Sequence, residues 1–180
     1  NQVSKLISNG ADIIDLGAAS SKPGSKLIKP EEEFNLIYNY INELTSNFSK
    51  VLFSIDTYNS SVADFALSKG FSLVNDISSG KYDKNMFQVI KKHNAGYIMM
   101  HMKGDPINMQ ENINYDNVVD SIISFFKLKI QELEKLGFSN IIIDPGFGFG
   151  KSINDNYEIL KNLKKFKKLE RPIMAGLSRK

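Results

Sequence analysis

Three side chains able to grip a flat, hydrogen-bonding ligand stand at the ends of short apolar runs: Asp56, Asn75 and Asp144. A carboxylate accepts from ring N–H and amino groups, and an Asn amide both donates and accepts. Lys180, at a later strand end, could reach a phosphate or carboxylate on its flexible stem, but a solvated side chain is its plainer reading from type alone. An aspartate that only caps the next turn is the plainer reading of any one of them. Two aspartates and Asn75 gathered on one rim would instead suit a planar heterocycle with an amino-pyrimidinone edge. Such a rim rejects ligands that leave its buried polar groups unpaired. Downstream, Gly146, Gly148 and Gly150 alternate with Phe147 and Phe149. That spacing suits a turn requiring glycine conformations, with the rings in the core. It lacks the full GxGxxG of a dinucleotide site.

Elements to position these residues recur along the chain. Apolar runs at Ile13-Ile14, Val51 to Ile55, Leu73-Val74, Tyr97 to Met100, Ile141 to Ile143 and Ile173-Met174 read as six strands covered on both faces. Helical spacing fills the intervals. Val119, Ile122, Ile123, Phe126, Ile130 and Leu133 form one stripe ending at Gly137. Pro30 followed by Glu31, Glu32 and Glu33 marks a helix start. Ser60 to Lys69 closes on Gly70, and Asn154 to Phe166 opens with an Asn/Asp pair suited to capping. Strands joined by crossover helices must be parallel. Nearly every strand ends in polar residues or glycine, which favours a closed (β/α)8 barrel over an open sheet served by one switch point.

Composition removes several classes of function. The 180 residues suit one domain, 1–180, with 42% hydrophobic and 24% charged residues. The chain has no cysteine and only two histidines, His93 and His101. This excludes a disulfide framework and argues against zinc. His93 reads as a solvated side chain at a helix end and His101 as structural. A net charge of +3, spread through the helices, is no nucleic-acid footprint. No membrane span or secretory signal is legible, so the expected location is cytoplasmic. Residues 1–9 read as the tail of a helix with no strand before it, and the chain stops just past a strand. A typical barrel has about 250 residues. The expectation is a barrel fragment lacking one βα unit before and more than one after, inactive and poorly folded alone because two sheet edges are bare.

In order, the strand ends carry GADIIDLGAASSKPGS, SIDTYNSSVADFALSKG, VNDISSG, MMHMKGDPINMQ, IDPGFGFGKS and GLSRK. Six motifs at these intervals resemble the dihydropteroate synthase family over essentially the whole chain. The resemblance implies condensation of 6-hydroxymethyl-7,8-dihydropterin pyrophosphate with p-aminobenzoate, giving dihydropteroate and pyrophosphate for folate synthesis. It assigns Asp56, Asn75, Asp144 and Lys180 to the pterin pocket, with Asp56 and Lys180 catalytic; Met99, at the end of its strand, reads as a contact on the pterin face, with core filling the alternative. It assigns Ser21, Lys22, Pro23, Phe149, Ser178 and Arg179 to the aminobenzoate and pyrophosphate loops, and leaves Phe147 to packing. It also implies Mg2+ on the pyrophosphate, with no metal ligand in this chain, and a homodimer in the complete protein.

The lid loop departs from the family's usual GGESTRPG. Ala19 stands for Glu, Ser21 for Thr and Lys22 for Arg, so the bidentate fork suited to phosphate is lost. The family is the sulfonamide target, and a loop of this kind also resembles sulfonamide-resistant synthases, but their insertion in the phenylalanine loop is missing from GFGFGKS; inhibition assays on the complete enzyme address the point. Two other readings stand beside synthesis. One is a methyltransferase domain acting on methyltetrahydrofolate, which reads the same pterin edge. The other is a non-catalytic pterin-binding module.

Overall fold

The computed structural model describes residues 2–20, 24–107, 109 and 113–177. Helices and strands alternate: α1 (Gln2–Ser8), β1 (Ile13–Gly17), α2 (Pro30–Asn47), β2 (Leu52–Asp56), α3 (Ser60–Ser68) and β3 (Leu73–Asp76), followed by α4 (Met86–His93), β4 (Gly96–Met100), α5 (Val118–Lys135), β5 (Ile141–Asp144) and α6 (Ile153–Lys161). A 3-10 segment, Leu163–Leu169, follows α6. The five strands lie in the order β1-β2-β3-β4-β5, and every pair is parallel. A doubly wound sheet reverses its order at a switch point. Here the order never reverses, so the sheet is an arc of a (β/α) barrel.

The sixth expected strand is reduced to one contact. Ile173 makes an isolated parallel bridge to Ile143, held by Ile143 N–H to Pro172 O at 3.0 Å and Met174 N–H to Ile143 O at 2.9 Å. The run therefore extends the sheet in sequence order beside β5, but too briefly to count as a strand.

Helix starts follow local chemistry. Pro30 opens α2, where its missing N–H costs nothing, and three glutamates complement the dipole. Asn117 caps α5 by accepting from Asp120 N–H at 3.1 Å. The last helix differs from expectation. Its cap is Ser152, in a reciprocal box with Asp155, and the α-helix ends at Lys161 before the 3-10 segment.

The core lies between sheet and helices. Phe53, Ile55, Val74, Tyr97, Met99, Ile141 and Ile143 from the strands meet the buried faces of α2, α3, α4 and α5. Ile122, Phe126 and Leu133 of the α5 stripe are fully buried. Each such side chain contributes about 1.5–3 kcal/mol by leaving water. None of the helices is long and apolar enough to cross a membrane, among the described residues.

Candidate active site

Side chains alternate across a strand, so those not facing the helices face the inside of the arc. Ile14, Phe53, Ile55, Val74, Ile141 and Ile143 belong to the helix-side core. Alternation therefore sends Asp15, Asp56, Asn75, Ile98 and Asp144 to the inner face. Asp56 and Asn75 are register partners on β2 and β3. Asn75 is level with Ile98, and Ile98 with Ile142. Asp144 stands one pleat beyond Ile142, still on that face. Asn75 Nδ2 donates to Asp15 Oδ2 at 3.0 Å, which ties β1 to β3 across the top of β2. Gly17, the partner of Asp56 on β1, leaves room beside the carboxylate, since a Cβ there would lie 3.0 Å from Asp56 Cβ.

The aspartates at the strand ends do different work. Asp76 is fully buried and spent on its own turn. Its Oδ1 accepts from Ser78 N–H at 2.8 Å and Ser78 Oγ at 2.7 Å, and its Oδ2 from Gly80 N–H and Tyr97 Oη, both at 2.8 Å. Burial still pushes its carboxyl above the ordinary value, against those bonds. Asp56 has no such cradle: among the described residues no hydrogen bond reaches its carboxylate. Burial, then the negative charges of Asp15, Glu33 and Asp76, push its carboxyl from 3.8 up to about 8. Asp56 is thus poised to ionise when a partner rich in N–H donors arrives. Asp144 Oδ1 accepts from Gly146 N–H at 2.8 Å, and a Cβ on Gly176 would lie 3.9 Å from its Oδ2.

The glycine-rich turn after β5 is held against the turn after β4. Gly146 has φ +70° and lies where a Cβ would meet His101 O at 2.2 Å, so only glycine fits. Lys151 is buried and donates from Nζ to His101 O and Phe149 O, both at 2.9 Å. Phe147 joins the main core. Phe149 packs instead on a smaller cluster of Tyr58, Ile77 and Met100 at the C-terminal ends of the strands. His101 sits edge-on to Phe125, with ring centres 5.1 Å apart. Burial, helped by Lys151 and Lys103, drops its imidazole from 6.5 to about 3, so it stays neutral.

The structure thus brings Asp56, Asn75 and Asp144 to one face at one end of the sheet, with Phe149 at the rim. Met99 is a correction. Its side chain is fully buried in the helix-side core, because the parity that puts Tyr97 under α4 puts Met99 there too. Met100, one residue on and level with Asp144, faces inward instead. Ser21, Lys22, Pro23, Ser178, Arg179 and Lys180 lie outside the described residues. The flank of the first of these loops is anchored, with Gly24 N–H donating to Pro106 O at 2.9 Å. Sequence reasoning missed Asp15, Glu33, Lys151 and Met100. Parity within β4 could have found Met100, whereas Asp15 and Glu33 need the register and the packing of α2.

A barrel arc whose strand ends gather carboxylates and an amide inward defines a class, and the comparisons agree. The chain belongs to the pterin binding enzyme family, whose model matches residues 1–180. Among individual proteins, it is 38% identical to a dihydropteroate synthase of Clostridium beijerinckii, over 99% of this chain and 64% of that protein. It superposes on a dihydropteroate synthase of Yersinia pestis, solved with a sulfonamide drug complex, with TM-score 0.94 and 32% identity, covering 99% of this chain and 65% of that one. A third relative is the dihydropteroate synthase of Anaplasma phagocytophilum with bound 6-hydroxymethylpterin-monophosphate, at TM-score 0.91 and 34% identity, covering 98% of this chain and 72% of that one. The chain spans between 35% and 64% of the length of the first curated relatives it matches.

Proposed function

We propose that the protein carrying this chain is a dihydropteroate synthase, joining 6-hydroxymethyl-7,8-dihydropterin pyrophosphate to p-aminobenzoate. The observation that carries the reading is the convergence of Asp56, Asn75 and Asp144 on one inner rim. Asp56 and Asp144 would accept from the N–H and amino groups of the pterin edge, and Asn75 would both donate and accept. The bond from the exocyclic CH2 to the pyrophosphate oxygen breaks, and that carbon gains a bond to the aniline nitrogen, which then loses a proton. Positive charge grows on the pterin as pyrophosphate departs, and an ionised Asp56 would stabilise it. Phe149 offers an aromatic wall near the aminobenzoate ring. Lys180, Ser178 and Arg179, with Ser21, Lys22 and Pro23 of the lid, keep their assignments on the strength of the sequence resemblance.

Among the described residues, no three of His, Cys, Asp and Glu are grouped to hold a metal. Mg2+ belongs to this reading as a companion of the pyrophosphate, whose oxygens can hold it with few protein ligands. A cytoplasmic homodimer completes the reading. Pyrophosphate release, followed with and without p-aminobenzoate in the protein that carries this sequence, tests it. A synthase releases pyrophosphate and forms dihydropteroate only with the amine. Pterin binding without release would leave a binding module, and methyl transfer from methyltetrahydrofolate would replace synthesis altogether.

A further inference from the structure

Behind Asp56, on the helix side, lies a second carboxylate that the proposed chemistry does not use. Glu33, on the first turn of α2, is fully buried. Its Oε2 accepts from Thr57 Oγ1 at 3.0 Å and from Asn59 Nδ2 in a still shorter contact. Thr57 Oγ1 in turn accepts from Asn59 N–H at 3.0 Å, while Thr57 N–H donates to Asn75 O at 3.0 Å. One buried carboxylate oxygen thus holds the side chains of Thr57 and Asn59, one and three residues beyond Asp56, and the same turn is bonded to the Asn75 backbone. A glutamate on the first turn of a surface helix needs none of this. Exposed there, it would serve the dipole as well.

We propose that Glu33 is a positioning residue for the pterin rim, fixing the turn from Thr57 to Asn59 and thereby the place and charge of Asp56. The proposal rests on Asp56 and Asn75 reading the ligand, as argued above. Among the described residues, the charged groups acting on Asp56 come from three directions: Asp15 on β1, Glu33 on α2 and Asp76 on β3. Among these Glu33 alone is fastened to side chains that follow Asp56 in the same turn, so it couples orientation and charge. Burial raises its own carboxyl, and the bonds from Asn59 and Thr57 oppose that rise.

The test compares Glu33→Gln and Thr57→Val with the wild-type protein. Gln keeps the volume and one acceptor oxygen but removes the charge. Val keeps the charge and removes the hydroxyl link. Two readouts apply: the 13C carboxyl titration of Asp56, assigned with Asp56→Asn, and kcat against pterin KM. Glu33→Gln should move the Asp56 midpoint to lower pH. Thr57→Val should change the Asp56 signal and lower kcat by about ten- to a hundredfold, the scale of a misplaced reacting group. A merely structural glutamate would lower the melting temperature of both variants while leaving the Asp56 titration and kcat at wild-type values, and that result overturns the inference. Should Glu33→Gln fail to fold, the Thr57→Val pair of readouts decides alone. A wild-type protein that releases no pyrophosphate sinks the synthase reading, but the carboxyl titration still judges Glu33.

Discussion

Replacing Asp56 by Asn should stabilise the ligand-free protein and abolish its chemistry, with a gain that grows with pH. In the fold the Asp56 carboxyl holds its proton until about pH 8, whereas the unfolded chain releases it near 3.8. Between those values the folded state binds one more proton than the unfolded state. Stability from this group is therefore fully present below 3.8 and is lost as pH rises towards 8. The loss runs at about 1.4 kcal/mol per pH unit and reaches about 4 kcal/mol at neutral pH. Asn cannot titrate. Any fixed cost of the amide moves the whole difference curve without changing its slope, and contributions from His101 cancel between the two proteins. Urea unfolding of wild type and Asp56→Asn, at intervals from about pH 4 to pH 8, reads the difference directly. The gap should widen steadily across that range. Pterin binding at neutral pH should also release about one proton from wild type and none from the variant, seen by calorimetry in buffers of different ionisation enthalpy. A gap that stays flat with pH, or binding that releases no proton, would refute the claim that Asp56 is held neutral in the empty site.

Three further outcomes follow from the packing. Phe126→Ala should cost about 3–5 kcal/mol in chemical unfolding, because the ring is fully buried in the α5 stripe. Gly146→Ala should cost about 2–5 kcal/mol, since it combines φ +70° with a methyl 2.2 Å from His101 O; thermal melting measures it. His101→Phe should be nearly neutral at pH 7 but more stable than wild type by about 2 kcal/mol near pH 5. Wild-type His101 cannot take its proton until about pH 3, while the unfolded chain does so from 6.5 downward. Equal acid sensitivity of the two proteins would contradict a neutral buried imidazole.

What the sequence revealed depended on whether the controlling contact was local. The α5 stripe and Pro30 start could be read directly, because spacing and capping act within a few residues. Asp56, Asn75 and Asp144 were also legible, since a polar residue closing an apolar run stands at a strand end whatever the neighbours do. Met99 failed because naming the strand end does not name the face, and one residue of error inverts it. Residues Ile173-Met174 carried a good β pattern, yet pairing depends on a neighbour that the pattern does not describe. Glu33 was legible only as a helix-start acid. Its burial against Thr57 and Asn59 spans more than twenty positions of sequence and exists only once α2 lies over β2.

The two faces of the sheet make opposite demands, and this separates recognition from folding. The helix side is closed by aliphatic and aromatic packing, with its one strand-end carboxylate, Asp76, satisfied by four donors. The inner side instead crowds Asp15 and Asp56 together, with Glu33 and Asp76 adding negative charge from behind. Among the described residues the Asp56 carboxylate accepts no hydrogen bond, and a ligand edge lined with N–H groups supplies the donors it lacks. Neutral isosteres on the inner rim should then stabilise the empty protein while weakening pterin binding. Apolar truncations on the helix side should lower stability and leave the pH dependence of binding unmoved. The two sets of variants would fall on opposite diagonals of a plot of stability against affinity only if the carboxylates are kept for the ligand rather than for the fold.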